Sequence, residues 1–181
     1  MRLLLSLFVL LCAATLVVSS VSIAEVQKEF YNNGNMLSER NFKDGKPHGL
    51  TKWYYKEGTP QLEEHYNEGV LNGVSKLYYK SGKLKAEMNF VNGKMEGTSK
   101  SYYESGSVKE VVTNKNGQQN GISKVYYEDG TLRLEAPFKE GQLIGTIKRY
   151  YPSGKIRFKE TYKNGQRVAR EEYDESGNPV K

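Results

Sequence analysis

Beyond its first two dozen residues the chain alternates with period two. From Lys83 to Phe90, Leu84, Ala86, Met88 and Phe90 fall on one face, and Lys83, Lys85, Glu87 and Asn89 on the other. Val74 to Tyr79 is a shorter run with β-branched and aromatic content, which also reads as a strand. Lys80-Ser81-Gly82 separates the two runs as a turn. Val91-Asn92-Gly93 then sends the chain back, with Asn-Gly as the tight-hairpin signal. Leu132, Leu134, Ala136 and Phe138 repeat the alternation, as do Ile156, Phe158 and Tyr162. No segment outside the N-terminal run carries a 3.6-residue period. Such short turns make consecutive strands antiparallel neighbours.

The strand pair is written six times. Gly34, Gly58, Gly82, Gly106, Gly130 and Gly154 are 24 residues apart, and Gly45, Gly69, Gly93, Gly117, Gly141 and Gly165 keep the same step. Tyr-Tyr recurs at residues 54–55, 78–79, 102–103, 126–127 and 150–151. Phe42, Tyr66, Phe90, Phe138 and Tyr162 form a further aromatic column. The fold class predicted is all-β: an elongated single-layer antiparallel sheet of tandem β-hairpins, with about a dozen strands touching only their neighbours. The array is placed at residues 25–173. Residues 174–181 are a partial last repeat and charged tail. Ala169 replaces the next expected Gly, and Glu171, Glu172, Asp174 and Glu175 blunt the free edge with charge.

A one-residue slip would exchange the faces. The second Tyr of each pair is assigned to the apolar stripe, because its face also carries Trp53, Leu77 and Val125. The first of each pair, Tyr54, Tyr78, Tyr102, Tyr126 and Tyr150, is then left on the polar face as a candidate partner-binding strip. Tyr supplies rigid amphipathic contact area at low entropy cost. The fourth unit departs from the pattern. Asn114 stands in the aromatic column and Glu110 on the nominal core face, so this unit is expected to open first, and Asn114→Phe to strengthen it.

Residues 1–24 read differently. Arg2 precedes an apolar run from Leu3 to Val18, and Ser22-Ile23-Ala24 offers small residues where a signal peptidase cuts, before Glu25. A retained anchor is the alternative, although the run is about 16 residues against the roughly 20 that a spanning helix needs. Lipidation of Cys12 is disfavoured by Leu11, where a small residue is required. The expected compartment is the periplasm, the cell surface or the medium. Cleavage would remove Cys12, the one cysteine, which suits an oxidising environment.

Composition narrows the chemistry. The 181 residues are 37% hydrophobic and 27% charged, with 14 Tyr and 18 Gly. Without Arg2 the 27 basic side chains become 26 against 21 acidic ones, a formal +5 that selects no partner by itself. Two His and one Cys leave no zinc finger, disulfide framework or Cys–His pair. His48 sits in a turn whose equivalents are Asn72, Glu96, Asn120 and Ile144, and His65 lies on a polar face. No nucleophile set or phosphate loop is present, so neither an enzyme nor a cofactor is expected. Lys52, Lys76, Lys100, Lys124 and Lys148 form a column about 10 Å in pitch. Glu63, Glu87 and Glu135 share its face and are expected to neutralise it. Lys148 faces Lys159 instead, so Lys148, Arg149, Lys155 and Arg157 form the candidate anion patch.

The unit at residues 74–97, with Tyr78-Tyr79, Gly82, Phe90, Gly93 and Gly97 in step with every other unit, resembles the bacterial variant of the MORN repeat over about residues 26–170. It is also similar to proteins labelled YwqK-family antitoxins. The resemblance implies a curved single-layer sheet used as a binding scaffold, with no catalytic residue and a weaker link to phospholipid. The function expected is an exported, non-enzymatic scaffold for a protein partner. The alternatives are an immunity protein of a toxin–antitoxin pair, or peripheral binding to anionic lipid through the basic patch. No nucleic-acid partner is expected.

Overall fold

The computed structural model describes residues 22–163 and 165–180. The expected signal segment and Cys12 therefore lie outside the described residues, apart from Ser22, Ile23 and Ala24. All elements described are strands or turns. The first hairpin is β1 (Ala24–Phe30) and β2 (Met36–Lys43). The next unit is β3 (Lys46–Pro47), β4 (Gly49–Tyr54) and β5 (Pro60–Asn67). Then come β6 (Val70–Leu71), β7 (Gly73–Tyr78) and β8 (Leu84–Val91), followed by β9 (Lys94–Met95), β10 (Gly97–Tyr102) and β11 (Val108–Lys115). Two further units are β12 (Gln118–Gln119), β13 (Gly121–Tyr126) and β14 (Leu132–Lys139), and β15 (Gln142–Leu143), β16 (Gly145–Tyr150) and β17 (Ile156–Lys163). β18 (Gln166–Tyr173) and β19 (Pro179–Val180) close the array. All belong to one antiparallel sheet in which each long strand pairs with the strands on either side of it, and each two-residue strand pairs with the strand before it.

The strand count exceeds a dozen for a local reason. Each returning strand is interrupted after two residues, as β6 is before β7. Asn72 stands at the break and its N–H still bonds the His65 carbonyl at 2.8 Å. Two turn types alternate. Tyr79 N–H donates to Lys83 O and Gly82 N–H to Tyr79 O, which makes a three-residue loop ending in a bulge. The opposite turns have positive φ at both central residues, for example Glu68 at 49° and Gly69 at 85°. That is the two-residue hairpin whose twist matches the sheet. Asp44, Asn92 and Asn116 suit the first of these positions, whereas Glu68 and Glu140 do not. Glu68→Asn is expected to raise stability by about 0.5–1 kcal/mol. A urea midpoint that falls would show that the Glu68 side chain supports the turn.

The bulge corrects one expectation. At each three-residue loop the register shifts by one, so Leu77 pairs with Ala86 but Tyr78 pairs with Leu84. Leu84 therefore sits with Tyr78, opposite to Ala86, Met88 and Phe90. One face carries Ser75, Leu77, Ala86, Met88 and Phe90, and we call it the serine face. The other carries Lys76, Tyr78, Leu84 and Glu87, and we call it the lysine face.

The deepest positions are small or polar: Ser38, Thr51, Ser75, Ser123 and Ala136 are buried, while Phe90 and Tyr66 are half-buried. A single layer has nothing to cover large rings. Short side chains between strands are shielded by the longer ones beside them. Asn114 also differs from expectation. It is 4% exposed, and its Nδ2 donates to Ser99 Oγ at 3.0 Å. The fourth unit thus holds a satisfied buried amide rather than a gap, and Asn114→Phe exchanges a hydrogen bond for a ring.

Candidate binding faces

The two tyrosines of each pair are used differently. The second stands at the hairpin end of the serine face and reaches sideways. Tyr55 Oη donates to the Tyr78 carbonyl at 2.8 Å, Tyr79 to Tyr102 at 2.7 Å, Tyr103 to Tyr126 at 2.7 Å and Tyr127 to Tyr150 at 2.8 Å. Tyr31 and Tyr151 bracket the series, donating to the carbonyls of Tyr54 and Tyr173. This column joins each unit to the next.

The first column, Tyr54, Tyr78, Tyr102, Tyr126 and Tyr150, lies half-buried on the lysine face. The hydroxyls of Tyr78, Tyr102 and Tyr150 meet the glutamate column of the preceding unit. Tyr78 Oη donates to Glu63 and Tyr102 Oη to Glu87, both at 2.9 Å. Burial, then the bond to Glu63 and its charge, push the Tyr78 phenol up from 10.0 to about 12. Burial and the Glu64 carboxylate do the same for Tyr66. Tyr102 and Tyr150 are also raised, chiefly by burial and then by Glu87 and Glu135. Tyr126 departs from the series because Val111 replaces the glutamate.

These shifts carry a pH signature. Below 10.0 the phenols are neutral in both folded and unfolded chains. Between 10.0 and about 12 only the unfolded chain ionises, so stability falls as pH rises through that window. Glu63→Gln is expected to move the Tyr78 midpoint part of the way back toward 10.0, because burial remains. Ring resonances of Tyr78 followed by NMR titration measure this, and an unchanged midpoint would remove Glu63 from the account.

Three of the five lysines in the lysine column, Lys52, Lys124 and Lys148, are paired across strands among the described residues. Lys52 Nζ lies 3.9 Å from Glu63, and Lys124 lies 4.0 Å from Glu135. Lys148 is not left over as its Lys159 neighbour suggested. Glu135 lies on β14, between β13 and β16, and its second oxygen is 3.7 Å from Lys148. The four residues of the predicted anion patch are consequently divided. Lys148 is on the lysine face, and Lys155 Nζ donates to the Ser176 carbonyl at 3.3 Å. Arg149 and Arg157 come together on the serine face, each 5.4 Å from the centre of the Phe158 ring. Arg133 joins them around a hollow also lined by Tyr127, Tyr150 and Phe158. Arg133 was missed in the sequence although it is 24 residues from Arg157; the column Lys85, Lys109, Arg133, Arg157 was the available signal. His65 Nδ1 lies 3.0 Å from the Val74 carbonyl, within the strand ladder.

No curated protein is similar enough to the chain to serve as a relative. The MORN repeat variant profile matches six times, over residues 26–44, 47–68, 71–92, 95–116, 119–140 and 143–164. Each full match runs from a two-residue strand through the bulged loop to the next tight turn. With most of its length covered by these matches and its hairpins in the same phase, the chain belongs to the MORN repeat variant family.

Proposed function

We propose that the chain is an exported, non-enzymatic scaffold that binds a protein partner along the lysine face. One observation carries this reading: the half-buried phenols of Tyr54, Tyr78, Tyr102, Tyr126 and Tyr150 recur every 24 residues along a continuous sheet, and those of Tyr78, Tyr102 and Tyr150 are held beside a glutamate. Such a line offers rigid aromatic area and hydrogen-bonding hydroxyls over several units, as extended recognition by repeat proteins requires. Export rests on the apolar run before Ser19 and the small residues that follow it.

A toxin acting outside the cytoplasm is the first partner to screen, because the unit resembles those of antitoxin-labelled proteins. The test is co-expression with the products of neighbouring genes, followed by binding of purified candidates to wild type and to Tyr78→Ala/Tyr102→Ala. Saturable binding that this double variant loses supports the reading. Binding that survives it unchanged overturns the assignment to the lysine face. Detection of the mature chain only in the cytoplasm overturns export.

A further inference from the structure

Along the hairpin ends of the serine face, four cations lie over the second tyrosines in register. Lys85 Nζ stands 5.5 Å from the centre of the Tyr79 ring and Lys109 Nζ 5.7 Å from Tyr103. The guanidinium of Arg133 is 5.8 Å from Tyr127, and that of Arg157 is 5.5 Å from Tyr151. Each unit contributes two strands, so successive cations are spaced about 9.6 Å across the sheet. Charge accumulates at the last rungs. Arg133, Arg149 and Arg157 line a hollow of about 200 Å³ together with Tyr127, Tyr150 and Phe158.

Among the described residues no carboxylate lies within 4.0 Å of Lys85, Lys109, Arg133, Arg149 or Arg157. On the lysine face Lys52, Lys124 and Lys148 are paired, and Lys76 and Lys100 stand across from Glu87 in the ladder. Arg170 also lies over the Phe158 ring, at 4.7 Å, but is paired with Glu172; the unpaired guanidinium groups beside it repel each other, and the ring and that carboxylate only partly offset this. The site therefore calls for an anion. A membrane fits it poorly. The exposed Val70, Val91 and Ile144 sit at the opposite hairpin ends, and Val74 and Ile122 fall on the lysine face. Cations and apolar side chains thus do not meet one plane, as peripheral insertion requires. Carboxylates fit well, since the planar guanidinium fork donates to both of their oxygens at once. A polyproline-type chain has three residues per turn and rises about 3.1 Å per residue, which places every third side chain on one side at about 9.3 Å. That pitch matches the rungs.

We propose that this edge of the serine face binds an acidic segment of another protein in extended polyproline form, with carboxylates at every third residue seated on Lys85, Lys109, Arg133 and the Arg149–Arg157 pair. The site is separate from the lysine face and stands or falls independently of it.

The test is fluorescence anisotropy with two labelled peptides of equal composition, five repeats of Glu-Pro-Pro and a version with its five Glu contiguous. The periodic peptide is expected to bind more tightly. Arg133→Gln/Arg149→Gln/Arg157→Gln should weaken it by about tenfold or more, the scale of one charge-assisted contact. Lys52→Gln/Lys76→Gln/Lys124→Gln, on the other face, should leave it within about twofold. Arg149→Gln alone, on an exposed side chain, supplies the same comparison if the triple variant unfolds. Equal affinity for both peptides overturns the pitch argument. The proposal is also overturned by no saturable binding of either peptide, by equal losses in the two triple variants, or by arginine-dependent binding to phosphatidylglycerol vesicles without peptide binding.

Discussion

Replacing Gly73 by alanine is expected to destabilise the protein by about 3 kcal/mol. Gly73 opens β7 directly after the break that follows β6, and its φ is +119°. L-residues rarely adopt that angle, so any side chain begins with strain of about 1–2 kcal/mol. Space is also short: a Cβ at Gly73 would stand 3.1 Å from the Cβ of His65. The obstructing atom is fixed to the neighbouring backbone and cannot rotate away. Gly97 occupies the same place one unit later but has φ +78° and nothing within 4 Å of an added Cβ. Gly97→Ala should therefore cost only about 1 kcal/mol. Urea unfolding of the two variants isolates the close approach, and equal losses would remove it as a constraint.

Tyr79→Ala is expected to cost about 2–3 kcal/mol, below the range for a fully buried ring because Tyr79 is half-buried. Tyr79→Phe should cost about 1 kcal/mol, the worth of the 2.7 Å bond to the Tyr102 carbonyl. The losses differ in kind as well as size. The ring carries Lys85 on its face and fills the hairpin end, whereas the hydroxyl serves only the junction between units. Hydrogen exchange should accordingly speed up around Tyr102–Tyr103 in the Phe variant, while residues 24–54 keep their protection. Uniform acceleration across the array would mean that the units do not open separately.

The 24-residue lattice, both turn positions and the antiparallel order were legible because glycine and the Tyr pair punctuate every unit. Simple alternation failed at Leu84, because the bulge adds a residue that no hydrophobic pattern records. Lys148 was misread for a related reason. A strand has two neighbours, and counting only the following one hid Glu135 on the preceding side. Asn114 looked like a missing ring because composition shows the departure but not the Ser99 hydroxyl that receives its amide. The arginine cluster was half visible: Arg149 and Arg157 stood out by charge, but joining them to Arg133 required knowing that the bulge turns Arg157 toward Phe158.

The lateral tyrosine bonds all run in one direction. In each, the donor is a side chain of the earlier unit and the acceptor is a main-chain oxygen of the later one. Every peptide offers that oxygen whatever its side chains, so a junction imposes a sequence requirement on one partner only. A gene that duplicates or loses a 24-residue stretch keeps these lateral bonds in working order without compensating changes. Copy number can therefore drift through recombination, and the reach of the sheet can change in whole steps while the outward-facing residues of each copy diverge toward new ligands.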